Sequence, residues 1–141
     1  MSESGDTSTS QLSQHALSIR FLTRAQSEVA QMRACLPEEP MALEPPAIAH
    51  IERLAHKLAS GAEAFGFKEI DAICGAIELM TQPGPRLSAR ERIALCMRLA
   101  DRMSALSIYV EYELAEKEAK FVPEDVLPMS LALPGFGAKR K

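Results

Sequence analysis

The residue in this chain best placed to do chemistry is His56. It lies in the stretch Ala55-His56-Lys57-Leu58-Ala59-Ser60-Gly61-Ala62-Glu63-Ala64-Phe65-Gly66-Phe67. On a helix, at ~100° per residue, Leu54, Leu58 and Phe65 fall opposite His56, and Ile51, Ala55 and Ala62 flank that opposite side. Glu52, Arg53, Ala59, Ser60 and Glu63 share its face. The imidazole is therefore turned away from the apolar side, beside a clearing of small and polar side chains that would admit a partner. An exposed imidazole is a competent nucleophile near neutral pH, because such rings ordinarily titrate at about 6.5.

Other candidates read as structural. His50 lies about 120° round the same helix from His56, and His15 stands on a different segment with no motif around it. Cys35, Cys74 and Cys96 are odd in number, widely spaced and set in apolar helical patterns. They read as buried free thiols of a reducing compartment, and neither a disulfide framework nor a zinc site fits that spacing.

Composition narrows the function classes. The chain has 141 residues, 47% hydrophobic and 25% charged, ordinary values for one globular domain with a real core. The formal net charge is −3, whereas general nucleic-acid binding needs a strong basic footprint. The arginines between Arg86 and Arg102 are interleaved with Glu91 and Asp101, so they make no such footprint. The N-terminus lacks the charged-then-apolar pattern of a signal peptide. No apolar run approaches the ~20 residues of a membrane span. The expectation is a cytoplasmic protein with no nucleic-acid or membrane partner.

Four helices must position His56. Residues 1–10 are Ser, Thr, Gly, Asp and Glu without an apolar anchor, which reads as a disordered lead. Leu12, Ala16, Ile19, Leu22, Ala25, Val29, Met32 and Leu36 recur at helical spacing, with Phe21 widening the stripe, so the first helix is expected over 11–36. Four prolines between Pro37 and Pro46 end it. Pro46 suits the first turn of a second helix, about 47–65, and Gly66 supplies a left-handed cap.

Ile70, Ile73, Cys74, Ile77 and Met80 mark a third helix over about 68–81, where Gly75 would mark a close helix contact. Gln82-Pro83-Gly84-Pro85 stops it. Ser88-Ala89-Arg90-Glu91 has the form of a capping box and opens a fourth helix to about 120. Its apolar positions are read as Ile93, Cys96, Met97, Ala100, Met103, Ile108, Val110 and Leu114. Its charged last turns, with i,i+4 pairs Glu113–Lys117 and Glu116–Lys120, are expected to project beyond the bundle. From residue 121 the recurring Pro and Gly forbid a helix, and the apolar residues of that tail would pack on the bundle or on a partner.

The resulting fold class is all-α: an up-down four-helix bundle over 11–120, with a disordered N-terminal lead (1–10) and an irregular Pro/Gly-containing C-terminal tail (121–141). Phosphate-cradling loops and nucleophile elbows are absent.

The stretch around His56 resembles the histidine-containing phosphotransfer (HPt) domain family. That family has an Ala-His, a Leu two residues after the His, small residues and Gly four to six after it, and a Gly ten after it. Here Leu58, Gly61, Ala62 and Gly66 match in type. The motif itself is short, but the helical layout extends the resemblance over roughly residues 12–120. The sequence departs from the family at two positions: Ala59 stands where a Lys is frequent, and Ser60 where Gly is usual.

The resemblance implies a phosphorelay protein. His56 would accept a phosphoryl group from an aspartate of a response-regulator receiver domain and donate it to another. Lys57, Ser60, Gly61 and Glu63 would form the phosphoryl and docking surface, with Lys57 standing in for the Lys missing at Ala59. Partners would be receiver domains or a hybrid histidine kinase. The chain itself would bind no cofactor, and Mg²⁺ would sit on the receiver. No nucleotide-binding kinase site is visible. The departures at Ala59 and Ser60 motivate an alternative from another class, a non-catalytic helical adaptor that docks a receiver or other partner without taking phosphate.

Overall fold

The computed structural model describes residues 2–82 and 86–121. Its four helices are α1 (Ser2–Ala34), α2 (Pro45–Phe65), α3 (Lys68–Met80) and α4 (Ala89–Phe121), with a 3-10 turn at Pro40–Ala42 between α1 and α2. Helix α1 packs on α2, α2 on α3, α3 on α4 and α4 back on α1. This is the up-down bundle, closed around one core.

The boundaries follow local chemistry. Pro45 and Pro46 occupy the first turn of α2, where a missing N–H costs nothing. Gly66 ends that helix at φ 77°, a conformation glycine adopts without the penalty a Cβ would bring. The Gly66 N–H donates to the Glu63 carbonyl and the Phe67 N–H to the Ala62 carbonyl. The capping box forms as read: the Ser88 N–H donates to Glu91 Oε1 at 2.8 Å, and the Glu91 N–H donates to Ser88 Oγ at 3.1 Å.

Helix α1 runs without a break from Ser2 to Ala34, and Phe21, Leu22, Ala25, Val29 and Met32 anchor it in the core. The expected stop at 83–85 and the tail after Phe121 lie outside the described residues.

The core is mostly aliphatic, with Phe21 and Phe67 its buried rings. Leu22, Ala25, Val29 and Met32 of α1 meet Ile51, Ala55, Leu58 and Ala62 of α2, and Ile70, Cys74 and Ile77 of α3, all buried. The Pro-rich link contributes too: Leu43 is fully buried, and the 3-10 turn that carries it packs on α4.

Three expectations need correction. On α4 the buried row is Leu95, Cys96, Leu99, Met103, Leu106, Val110 and Leu114, whereas Met97, Ala100 and Ile108 face solvent. This helix carries apolar residues on two faces, and packing against α1 and α3 selects the row in register with Met103 and Val110. Gly75 makes no close contact: a Cβ placed there would meet nothing within 4 Å. The last turns of α4 do not project freely. Leu114 is buried, Nε2 of His15 donates to the Lys117 carbonyl at 2.9 Å, and the Lys117 ammonium lies 5.6 Å from the centre of the Phe67 ring.

Candidate functional site

The roll of α2 is fixed by the five residues it buries, Ile51, Leu54, Ala55, Leu58 and Ala62. That leaves the His56 side chain 70% exposed, on the face the helical spacing assigns to it. Helix α3 lies antiparallel beside it in the hairpin closed by Gly66. It presents Glu78, one position on from the buried Ile77 and 22 positions on from His56. Nδ1 of His56 and Oε2 of Glu78 are 2.6 Å apart.

A carboxylate only accepts, so Nδ1 is the donor. In the neutral ring the proton therefore sits on Nδ1, and the lone pair belongs to Nε2. The arrangement is a fixed imidazole with a chosen tautomer, an exposed nucleophilic nitrogen, and a carboxylate behind the ring to face any positive charge that develops on it. The sequence does not single out Glu78. It lies on another helix, and only the pitch of the hairpin brings it to the ring.

The other sequence-nominated residues divide into two groups. Ser60 and Glu63 are exposed on the turns following His56, and Ser60 Oγ donates to the His56 carbonyl at 3.2 Å. Lys57 and Gly61 are turned to α1. The Lys57 ammonium is 3.0 Å from Glu28 Oε2, a carboxylate only 6% exposed, which also lies 3.7 Å from Arg24 Nε. Neighbouring positions on a helix do not face each other, so Lys57 serves Glu28 and does not lean over the His56 ring.

Gly61 is a packing glycine. A Cβ there would lie 2.3 Å from Cε1 of Phe21. That ring stacks on Phe65 at 5.5 Å and on Phe67 at 6.1 Å between centres. The three rings fasten α1 to the α2–α3 hairpin just below the site, which is why the motif carries Gly61, Phe65 and Phe67 together. His50 takes a local role: Arg53 Nη2 donates to its Nδ1 at 3.2 Å.

The cysteines are free, with Cys74 and Cys96 buried and Cys35 partly so. Burial, followed by the nearby Asp71 and Glu78 carboxylates, pushes the Cys74 thiol up to about 12, so it is no nucleophile at neutral pH. Among the described residues no group of three His, Cys, Asp or Glu side chains could hold a metal ion, and no helix is long and apolar enough to cross a membrane. A cleft of about 850 Å³ opens at the other end of α2, among Leu43, Ile48, Met80, Leu87 and Leu95. It does not include His56.

The chain belongs to the Hpt domain family: that family's model, described as the Hpt domain, matches residues 16–109, a span that holds His56 and Glu78. Neither the curated proteins nor the solved structures give a match. Membership places the protein in two-component phosphorelay signalling, where domains of this family interact with receiver domains and histidine kinases.

Proposed function

We propose that His56 is the phosphoacceptor of this chain and exchanges a phosphoryl group with aspartates of receiver domains. The observation that carries the reading is the 2.6 Å contact between His56 Nδ1 and Glu78 on an otherwise exposed ring. In the forward step the Nε2 lone pair attacks the phosphorus of an aspartyl phosphate. The N–P bond forms, the P–O bond to the aspartate breaks, and the aspartate leaves as a carboxylate. The Nδ1 proton stays on the ring, and the Glu78 carboxylate stabilises the positive charge that the ring acquires. The reverse step returns the group to a second aspartate. The receiver contributes the aspartate and the Mg²⁺; this chain contributes a positioned nucleophile and a surface.

Ser60 and Glu63 are the docking positions of this reading, because they continue the exposed face of His56. Lys57 and Gly61 support that face from below, through Glu28 and Phe21. Three free thiols fit a chain that works in the cytoplasm.

The test is transfer from a receiver phosphorylated on its aspartate to the full chain and to His56→Gln. The expected result is an acid-labile, base-stable label on the parent and none on the variant. Equal labelling of the two proteins contradicts the proposal. Receiver binding with no label on either is the outcome of the adaptor reading.

A further inference from the structure

Helix α3 carries, on the edge nearest His56, two residues that the fold does not use. Gly75 lies in the interior of the helix, where a glycine costs about 1 kcal/mol relative to Ala. A Cβ there would meet nothing within 4 Å, so packing within the bundle does not account for it. Leu79 is 72% exposed, the most exposed large hydrophobic side chain among the described residues.

Their position follows from the buried row and the hairpin. At ~100° per residue, going round α3 from the buried Cys74, Glu78 comes at about 40°, Gly75 at about 100° and Leu79 at about 140°. Glu78 is turned to His56 on α2, so Gly75 and Leu79 continue outward from that same edge. The two helices run antiparallel, and His56 meets Glu78. Three residues from that pair toward Gly66, about 4.5 Å along the axis, Ala59 of α2 comes level with Gly75. Leu79 stands within about one residue's rise of the height of His56.

We propose that Gly75 and Leu79 form the α3 half of the surface on which a receiver domain seats. The choice of occupant rests on the reading of His56 as phosphoacceptor. An aspartyl phosphate carried on a folded domain reaches Nε2 only if that domain covers the ground around the ring. A domain of about 100 residues has a radius of gyration near 13 Å, more than a helix diameter of about 10 Å, so it spreads over α3 as well as α2. Gly75 lets the receiver come against bare helix backbone, a use for which glycine is the suitable residue. The charges around it are mixed, with Glu52, Glu63 and Asp71 beside Arg53 and Lys68. They select no sign of partner charge. The anchor is therefore apolar: Leu79 packs on an apolar side chain beside the receiver's aspartate, and that contact removes it from water.

Calorimetric titration of the full chain tests this, the probe being the isolated receiver domain that binds the parent tightest in a panel of receivers. Gly75→Leu and Leu79→Asp are each expected to raise the Kd at least about tenfold. Ile108→Asp alters a comparably exposed apolar position (65%) on α4 and is expected to bind as the parent does. Circular dichroism of each variant reports that the helices are intact. Parental binding by both α3 variants overturns the surface and leaves the phosphoacceptor reading to its own labelling test. Weakened binding in both, with no label on His56 of the parent, upholds the surface and overturns the phosphoacceptor reading. An equal loss in Ile108→Asp overturns the surface, as does a panel in which no receiver binds the parent.

Discussion

At the scale of residues, the proposed chemistry rests on a pair that spacing in the sequence does not reveal. His56 was legible because its own helix shows where it points: the large apolar neighbours Ile51, Leu54, Leu58 and Phe65 lie on the far side. Glu78 was not, since nothing local ties it to a position 22 residues earlier. The pair makes a sharp prediction. Glu78→Ala is expected to slow phosphoryl transfer by at least about tenfold, because no carboxylate then faces the positive charge that develops on the ring. It should also release the ring from the Nδ1–H tautomer, read in the ¹⁵N shifts of the imidazole. Unchanged transfer and unchanged tautomer would leave Glu78 a bystander. A second prediction concerns Cys74, whose folded-state pKa is raised by burial to about 12. The unfolded thiol ionises first, so the contribution of Cys74 to stability is complete below about 9 and is lost as pH rises toward 12. Denaturant unfolding from pH 8 upward should therefore show a shallower alkaline decline in Cys74→Ala than in the parent.

At the scale of elements, the glycines of α2 and α3 separate two effects that the sequence alone merges. Gly61 and Gly75 each lower helix propensity by about 1 kcal/mol relative to Ala, yet the space around them differs. Gly61→Ala drives a Cβ to 2.3 Å from Phe21, inside a three-ring stack that cannot yield. Overpacking of about 1–3 kcal/mol offsets the propensity gain of about 1 kcal/mol, and a net loss of up to about 2 kcal/mol in unfolding free energy is expected. Gly75→Ala meets nothing within 4 Å and is expected to stabilise by about 0.5–1 kcal/mol. Equal effects at the two positions would refute the packing role given to Gly61. The helices themselves were legible, because the prolines between Pro37 and Pro46, Gly66 and the Ser88–Glu91 box punctuate them. The buried face of α4 was not, because Met97 and Ile108 compete with Leu99 and Leu106 for the core. Only the neighbours α1 and α3 decide between them. Leu43 was missed for a related reason: a proline-rich link reads as a break, and its one buried side chain shows only when the link folds over the end of the bundle.

At the scale of the whole molecule, each helix has a distinct task. In the proposed reading α2 carries the nucleophile and α3 holds its tautomer, while α1 fixes the hairpin through Phe21 and Glu28 and α4 closes the bundle. The fold class and the exposure of His56 could be read from spacing alone. The supporting contacts could not, since each joins residues from different helices. The central claim is that the phosphoryl group resides on Nε2 of His56, with Nδ1 held by Glu78. It is tested most directly by ³¹P and ¹⁵N NMR of the full chain after transfer from a phosphorylated receiver. The account predicts one N–P linkage, at Nε2 of His56, with the proton retained on Nδ1. A phosphoryl group on Nδ1, or on any other residue, would contradict it.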